Sequence, residues 1–295
     1  MGAGGAFPKI GLGTALIKTE NDIEVVFQSI KDGIRLIDTE PANEILVGRG
    51  IKKAIENKIV QRKDLFIITK LELEEKENPR NALINSLGRL QLDYVDLYLD
   101  HWPSCINFLN PEKTIKIPVS TTWNKMEQLV SEGLTKFIGL SNYNVENIFN
   151  ILSTCKTKPF ALEVEFNPYL YQADLKTFCD KEDIKLIAYN PLARGEYCDK
   201  DYILENKLDL FKENAIKFLA KEYNKTEAQI VLNWHKCLGV IPIPGTSNPQ
   251  RMKENLKAMG FEIDKKYVYG LLGSLEDKQH RFNDGSKIFG IDIFA

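Results

Sequence analysis

The stretch from Leu65 to Trp102 sets the pattern for the chain. It runs Leu65-Phe66-Ile67-Ile68-Thr69-Lys70, then a polar segment with Leu83, Leu87 and Leu90 at helical spacing, then Val95-Asp96-Leu97-Tyr98-Leu99-Asp100-His101-Trp102. A short β-branched and apolar run that closes on polar residues reads as a buried strand, and apolar residues three or four positions apart read as one helix face. Strand, helix, strand is the unit of a parallel sheet, because parallel neighbours need a long crossover.

Outward from this unit the alternation continues. Runs at residues 10–14, 35–39, 137–142, 161–167, 185–190 and 240–245 bring the strands to eight, and Trp123, Met126 and Val130, then Ile230, Trp234 and Leu238, mark further helix faces. Near-continuous apolar strands alternating with helices imply a sheet covered on both faces, and eight such units close into a barrel. A doubly wound sheet would carry a phosphate loop at its first strand-to-helix turn. Neither Gly-x-Gly-x-x-Gly nor a Walker loop is present: Gly11-Leu12-Gly13 is too short, and Gly48-Arg49-Gly50 lies in a helical stretch, where a surface or packing role is expected. No linker or composition shift divides the chain. The expectation is an α/β protein, a (β/α)8 TIM barrel, with one domain over residues 1–295.

Charge excludes some partners. The 39 basic and 41 acidic residues give a net charge of -2, so no general attraction to nucleic acid or anionic membrane is expected, and the partner should be a small molecule. The five cysteines are scattered, without a Cys-x-x-Cys pair or a Cys/His cluster. They read as free thiols in a reducing compartment, and no metal site is expected. With no signal-peptide pattern and no run of 18 apolar residues, the expected location is cytoplasmic. The sequon Asn224-Lys225-Thr226 reads as a chance match. No segment signals an oligomeric state.

In such a barrel the active site is built at the C-terminal ends of the strands. The residues closing the runs are Thr14, Asp38, Lys70, His101 with Trp102, Ser141 with Asn142, Glu163 and Glu165, Tyr189 with Asn190, and 244–247. An acid, a lysine and a histidine converging on one mouth suit acid and base work, since each shifts the protonation of the others. Taken singly, each has a plain alternative: Asp38 as a helix cap, Lys70 as a solvated loop residue, His101 as a hydrogen-bonded core histidine.

These residues also carry a resemblance. Ile37-Asp38-Thr39, the Phe66 to Lys70 run, Leu92 to Pro103 and Ile138-Gly139-Leu140-Ser141-Asn142-Tyr143-Asn144 resemble the aldo-keto reductases. So do Ala188-Tyr189-Asn190-Pro191-Leu192, Ile241-Pro242-Ile243-Pro244-Gly245-Thr246, the stretch from Arg251 to Asn255 and the final Gly290 to Ala295, in the family's order and nearly over the whole chain. The resemblance implies a barrel that binds NADPH in an extended pose and passes hydride to an aldehyde or ketone. It implies Asp38, Lys70 and His101 as catalytic residues. Ser141, Asn142 and Glu163 would meet the carboxamide, Tyr189 would stack on the nicotinamide, and Asn190 and Leu192 would lie along the pyrophosphate. Thr246, Ser247 and Arg251 would reach the 2′-phosphate, Glu254 and Asn255 the adenine, and Trp102 would line the substrate pocket.

The chain departs from that pattern in three places. Where the family has Asp-Thr-Ala-x-x-Tyr-x-Asn-Glu, with the tyrosine as proton donor, this sequence reads Asp38-Thr39-Glu40-Pro41-Ala42-Asn43-Glu44, two residues shorter and without the tyrosine. Losing a positioned general acid costs roughly 10²–10⁴ in rate. Three readings stay open: His101, or a water held by His101 and Lys70, stabilises the developing alkoxide; Glu40 or a tyrosine such as Tyr143 or Tyr197 fills the space; or the protein is a dinucleotide-binding sensor or interaction protein without turnover. Glu163 stands where the family has glutamine, and a carboxylate cannot donate to an amide carbonyl unless protonated. Gly245 stands where many members have lysine, leaving Arg251 as the evident cation for a 2′-phosphate, so NADPH is expected and NADH is not excluded.

Overall fold

The computed structural model describes residues 7–103, 117–193, 205–206 and 208–285. Eight parallel strands form one sheet in sequence order: β1 (Gly11–Gly13), β2 (Leu36–Asp38), β3 (Phe66–Leu71), β4 (Val95–Asp100), β5 (Thr135–Ser141), β6 (Ala161–Glu165), β7 (Lys185–Tyr189) and β8 (Ile241–Pro242). A parallel bridge between Gly13 and Gly245 joins the last unit to the first, with the Gly13 amide donating to the Pro244 carbonyl at 3.3 Å. The sheet therefore closes into the expected (β/α)8 barrel. Gly13 permits that closure, because a Cβ there would stand 2.6 Å from the Ile243 carbonyl oxygen. The last strand is shorter than the expected run 240–245. Pro242 and Pro244 have no N–H to give to a ladder, which limits pairing at this end.

Alternation along the strands divides the apolar residues into two cores. Leu36, Ile68, Leu97, Leu99, Ala161, Ile187, Ile241 and Ile243 fill the barrel, with Phe7, Phe66, Phe137 and Phe160 packed below. Ile37, Ile67, Tyr98, Ile138 and Leu186 face outward and join the helices in the larger core. The helix Pro79–Leu90 shows how sequence builds that layer: Asn78 caps it by accepting from the Asn81 amide, Pro79 enters its first turn, and Leu83, Leu87 and Leu90 are buried. Gly48, in the helix Glu44–Glu56, confirms the packing reading, since a Cβ there would lie 2.5 Å from the Leu90 carbonyl oxygen. Thr226, the last residue of the sequon, accepts from the Gln229 amide as the cap of the helix Glu227–Cys237. Among the described residues no helix is long and apolar enough to cross a membrane.

Candidate active site

The same alternation that points Leu36, Ile68, Leu99, Ala161 and Ile187 into the barrel carries Asp38, Lys70, His101, Glu163 and Tyr189 to its mouth, each two positions further along. Lys70 lies between carboxyls: its ammonium pairs with Asp38 Oδ1, lies 3.2 Å from Glu163 Oε1 and donates to the Thr39 carbonyl at 3.2 Å. Burial opposes its charge, but Asp38 and Glu163, with Glu40 beyond them, outweigh burial and raise its pKa. Asp38 is thus a partner of Lys70 and not a helix cap; the helix starts at Glu44, behind Asn43. Lys70 is buried, so the solvated-loop reading fails for it too. Glu163 is held in its neutral form over a wider pH range than an ordinary carboxyl, first by burial and then by the nearby Asp38 charge, against the pull of Lys70. Its Oε2 is buried without a hydrogen-bond partner.

His101 is fixed from three sides. Its amide donates to the Leu71 carbonyl at 3.2 Å, its carbonyl accepts from Asn142 Nδ2 at 3.1 Å, and its ring Nδ1 lies 3.0 Å from Glu72 Oε1. Trp102 is buried beside it, with ring centroids 5.9 Å apart. One polar atom from each of Glu40, Glu72 and His101 falls within 4.8 Å of the others.

The shortened segment is a tight turn. The Thr39 hydroxyl and the Glu40 amide both donate to Asn43 Oδ1, and Asn43 Nδ2 donates to the Thr14 carbonyl at 2.9 Å. Glu44 then turns away from the mouth, accepting from the Thr69 hydroxyl and from Arg89 Nε at 2.6 Å. Tyr143 does not fill the space left by the missing phenol. Its hydroxyl donates to Asp100 Oδ2 at 2.7 Å, and burial and Asp100 together hold its pKa well above the ordinary tyrosine value. Asp100 follows the outward parity of Tyr98, so this bond lies in the wall between strand and helix. Tyr197 lies outside the described residues, as do Cys105, Cys198 and the final motif Gly290 to Ala295.

A second chain of contacts joins β5 to β7. Tyr189 donates to Asn142 Oδ1 at 2.8 Å, and Asn142 Nδ2 donates to Ser141 Oγ at 3.2 Å. Asn142 and Asn190 both have positive φ, 62° and 47°. That left-handed turn just past a strand end is one asparagine tolerates better than most residues. Asn190 Nδ2 donates to Glu165 Oε1 at 2.8 Å, while Glu165 Oε2 accepts the amides of Phe282 and Asn283, and Asn283 Nδ2 donates to Tyr189 Oη at 3.2 Å. Leu192 packs against the outer core. Beyond β8, Thr246 Oγ1 accepts the Asn248 amide at 3.0 Å and Ser247 is exposed. The helix Pro249–Leu256 then presents Arg251 and Glu254 to solvent and buries Asn255. Among the described residues no carboxylate pairs with Arg251. Gly245 has room for a side chain, since a Cβ there would make only ordinary contact with the Gly13 carbonyl oxygen at 3.4 Å.

The residues matching the Aldo/keto reductase family model span 9–271, nearly the whole described barrel. The chain belongs to the aldo-keto reductase family. This aldo-keto reductase is 32% identical over 317 residues to the NADH-dependent D-xylose reductase of Candida parapsilosis, covering 100% of the chain and 97% of that protein. Its fold matches the solved aldose reductase of Schistosoma japonicum with a TM-score of 0.87 at 28% identity, covering 100% of this chain and 96% of the other. It also matches an aldo-keto reductase of Bombyx mori solved in complex with NADP, with a TM-score of 0.88 at 29% identity over 99% and 96% of the two chains. These relatives carry reductase names, and nothing in them supports the sensor reading.

The residues picked from sequence fall into two groups. Asp38, Lys70, Glu163, His101, Trp102, Ser141, Asn142 and Tyr189 gather at the mouth, whereas Thr246, Ser247, Arg251, Glu254 and Asn255 form a patch beyond β8. Sequence reading missed Glu72 and Asn283. Glu72 had a usable signal, because it continues the inward parity of Ile68 and Lys70. Asn283 had none, since its contact with Tyr189 joins distant parts of the chain.

Proposed function

We propose that this protein is an NADP(H)-dependent reductase of small aldehydes and ketones, located in the cytoplasm, that works without the family's catalytic tyrosine. The observation that carries the reading is the buried Asp38–Lys70 pair at the same mouth as His101, with Glu72 close enough to both Lys70 and His101 to feel their charges. A protein that only held a dinucleotide would have no use for a buried ammonium beside an imidazole.

The nicotinamide carboxamide fits the pocket chemically. The unpartnered Oε2 of Glu163 can accept from the amide NH₂, and the neutral form of Glu163 has an O–H for which Asp38 and the amide carbonyl would compete, which softens the objection to a carboxylate at this position. Ser141 and Asn142 would hold the other side of the carboxamide, and Tyr189, tied to Asn142, would stack on the ring. Asn190 and Leu192 would follow the pyrophosphate, Glu254 and Asn255 the adenine. Thr246, Ser247 and the Arg251 guanidinium, which no carboxylate among the described residues pairs with, favour a 2′-phosphate, hence NADPH over NADH. When bound, the dinucleotide supplies hydride to the carbonyl carbon. Lys70, held charged by Asp38, and His101 would then stabilise the negative charge that develops on the carbonyl oxygen. Trp102 would line the substrate side.

The test is to titrate NADPH and NADH by quenching of protein fluorescence and then assay the better cofactor with a panel of aldehydes. Tighter binding of NADPH and turnover of at least one aldehyde are expected. NADPH binding without turnover on any aldehyde would overturn the enzyme reading in favour of the sensor, and no binding of either dinucleotide would overturn both.

A further inference from the structure

We propose that Glu72 is a positioning residue that fixes the tautomer of His101 and so makes Nε2 of His101 the proton donor in place of the missing phenol. The proposal rests on the reductase reading above. Glu72 leaves β3 with the inward parity of Lys70, and its Oε1 meets His101 Nδ1 at 3.0 Å, while the histidine backbone is pinned by Leu71 and Asn142. The imidazole is thus held at its backbone end and at Nδ1, which limits its rotation and leaves Nε2 as the free end of the ring. Among the described residues nothing hydrogen-bonds Nε2, and the side chain keeps 17% exposure at the mouth.

The chemistry follows from the donor inventory. An ionised carboxylate only accepts, so the nitrogen facing Glu72 must carry hydrogen. Burial works against ionised Glu72, but the hydrogen bond and charge of His101, then Lys70 and Lys76, prevail and hold its carboxyl below the usual range. In the neutral ring Nε2 is therefore a lone pair, and in the charged ring it is an N–H aimed away from Glu72. Hydride attack puts the carbonyl π pair on oxygen; that oxygen takes the proton from Nε2–H, and the ring is left neutral with its remaining proton on Nδ1. The sum is carbonyl, reduced dinucleotide and one solvent proton giving alcohol and oxidised dinucleotide. In the reverse direction the Nε2 lone pair accepts the alcohol proton. The charged groups around this ring are Glu40 after β2, Glu72 after β3, and Lys70 with its partners Asp38 and Glu163. Lys76 stands behind with Asp100.

Two measurements test this. Histidine-selective ¹⁵N NMR of the intact protein, which has three histidines, should show His101 as the Nδ1–H tautomer when neutral, and Glu72→Gln should release that preference, because an amide can donate as well as accept. Steady-state kinetics should show wild-type kcat for reduction falling, and kcat for alcohol oxidation rising, as pH increases, because the charged ring donates from Nε2 and the neutral ring accepts there. Glu72→Gln should lower kcat by about 10–100-fold with KM and NADPH affinity within about twofold, and Glu72→Asp should restore part of the loss. An Nε2–H tautomer in the wild type, or Glu72→Gln with unchanged kcat and pH profile, would overturn the proposal, as would turnover that EDTA abolishes and a divalent cation restores. NADPH binding with an Nδ1–H ring but no turnover would sink the reductase reading instead and leave the positioning by Glu72 standing.

Discussion

Lys70 with Asp38 and Lys76 with Asp100 are both buried lysine–aspartate pairs at the same end of the barrel, and they differ in the direction the strands point their aspartates. Lys70 and Asp38 face inward, share the ammonium with Glu163, and leave one oxygen of Glu163 without a partner. Lys76 and Asp100 face the helix layer at 2.6 Å; Asp100 also accepts the Tyr143 hydroxyl, and Lys76 also donates to the Trp102 carbonyl. The outer cluster contains aspartate, lysine and tyrosine, three residue types of the family's catalytic tetrad, yet its groups are engaged with one another and shut away from the mouth. The inner one lacks the tyrosine but keeps a position open to a ligand. Residue type alone does not make a site; parity along the strand and an unfilled hydrogen-bonding position do.

Substitutions can break each side of this contrast separately. Lys70→Met should have the largest effect, lowering kcat by roughly 10²–10³, the cost of removing one donor aimed at a developing oxyanion; steady-state assays at saturating cofactor check it. Lys76→Met should do the reverse, with kcat per folded molecule falling far less than in Lys70→Met but stability reduced by about 3–5 kcal/mol, because Asp100 is left buried and uncompensated. Denaturant unfolding measures that loss. Inserting two residues, one of them tyrosine, into the segment 38–44 should raise turnover about tenfold or more if the phenol is the missing acid. No gain would place the limiting step elsewhere.

The smallest effect concerns pH. Glu163 has its pKa raised on folding, from 4.5 to about 8, by burial and by Asp38. A raised pKa means the folded state holds the proton more tightly than the unfolded chain, so this contribution is full below about 4.5 and is lost as pH rises through about 8. Stability, and with it NADPH affinity, should decline over that window, and Glu163→Gln should flatten both slopes. Unfolding midpoints and fluorescence titrations at several pH values read them.

Much of the fold and of the inward cluster is legible in the amino-acid order. Eight apolar runs point to the barrel because parallel strands buried on both faces cannot avoid a continuous apolar signature, and strand-end position then selects Asp38, Lys70, His101 and Tyr189. The family resemblance supplies roles that spacing cannot. Tyr143 misleads because a motif neighbour on the next loop is close enough along the chain to suggest a substitute, whereas the outward parity of Asp100 draws its hydroxyl into the wall. Glu72 escapes notice because it sits two positions beyond Lys70, which closes the run. The docking of Phe282 and Asn283 onto Glu165 and Tyr189 joins residues more than 90 positions apart, and no local pattern announces such a contact.

On this reading the inward cluster reduces carbonyl compounds without a phenol. Rapid mixing of the NADPH complex with an excess of aldehyde, following loss of the reduced-nicotinamide absorbance, tests it most directly. The bound cofactor should be oxidised well above the rate without protein, with oxidation slowing as pH rises and largely lost in Lys70→Met. A cofactor that binds and stays reduced with every aldehyde, at every pH where the protein is folded, would contradict it.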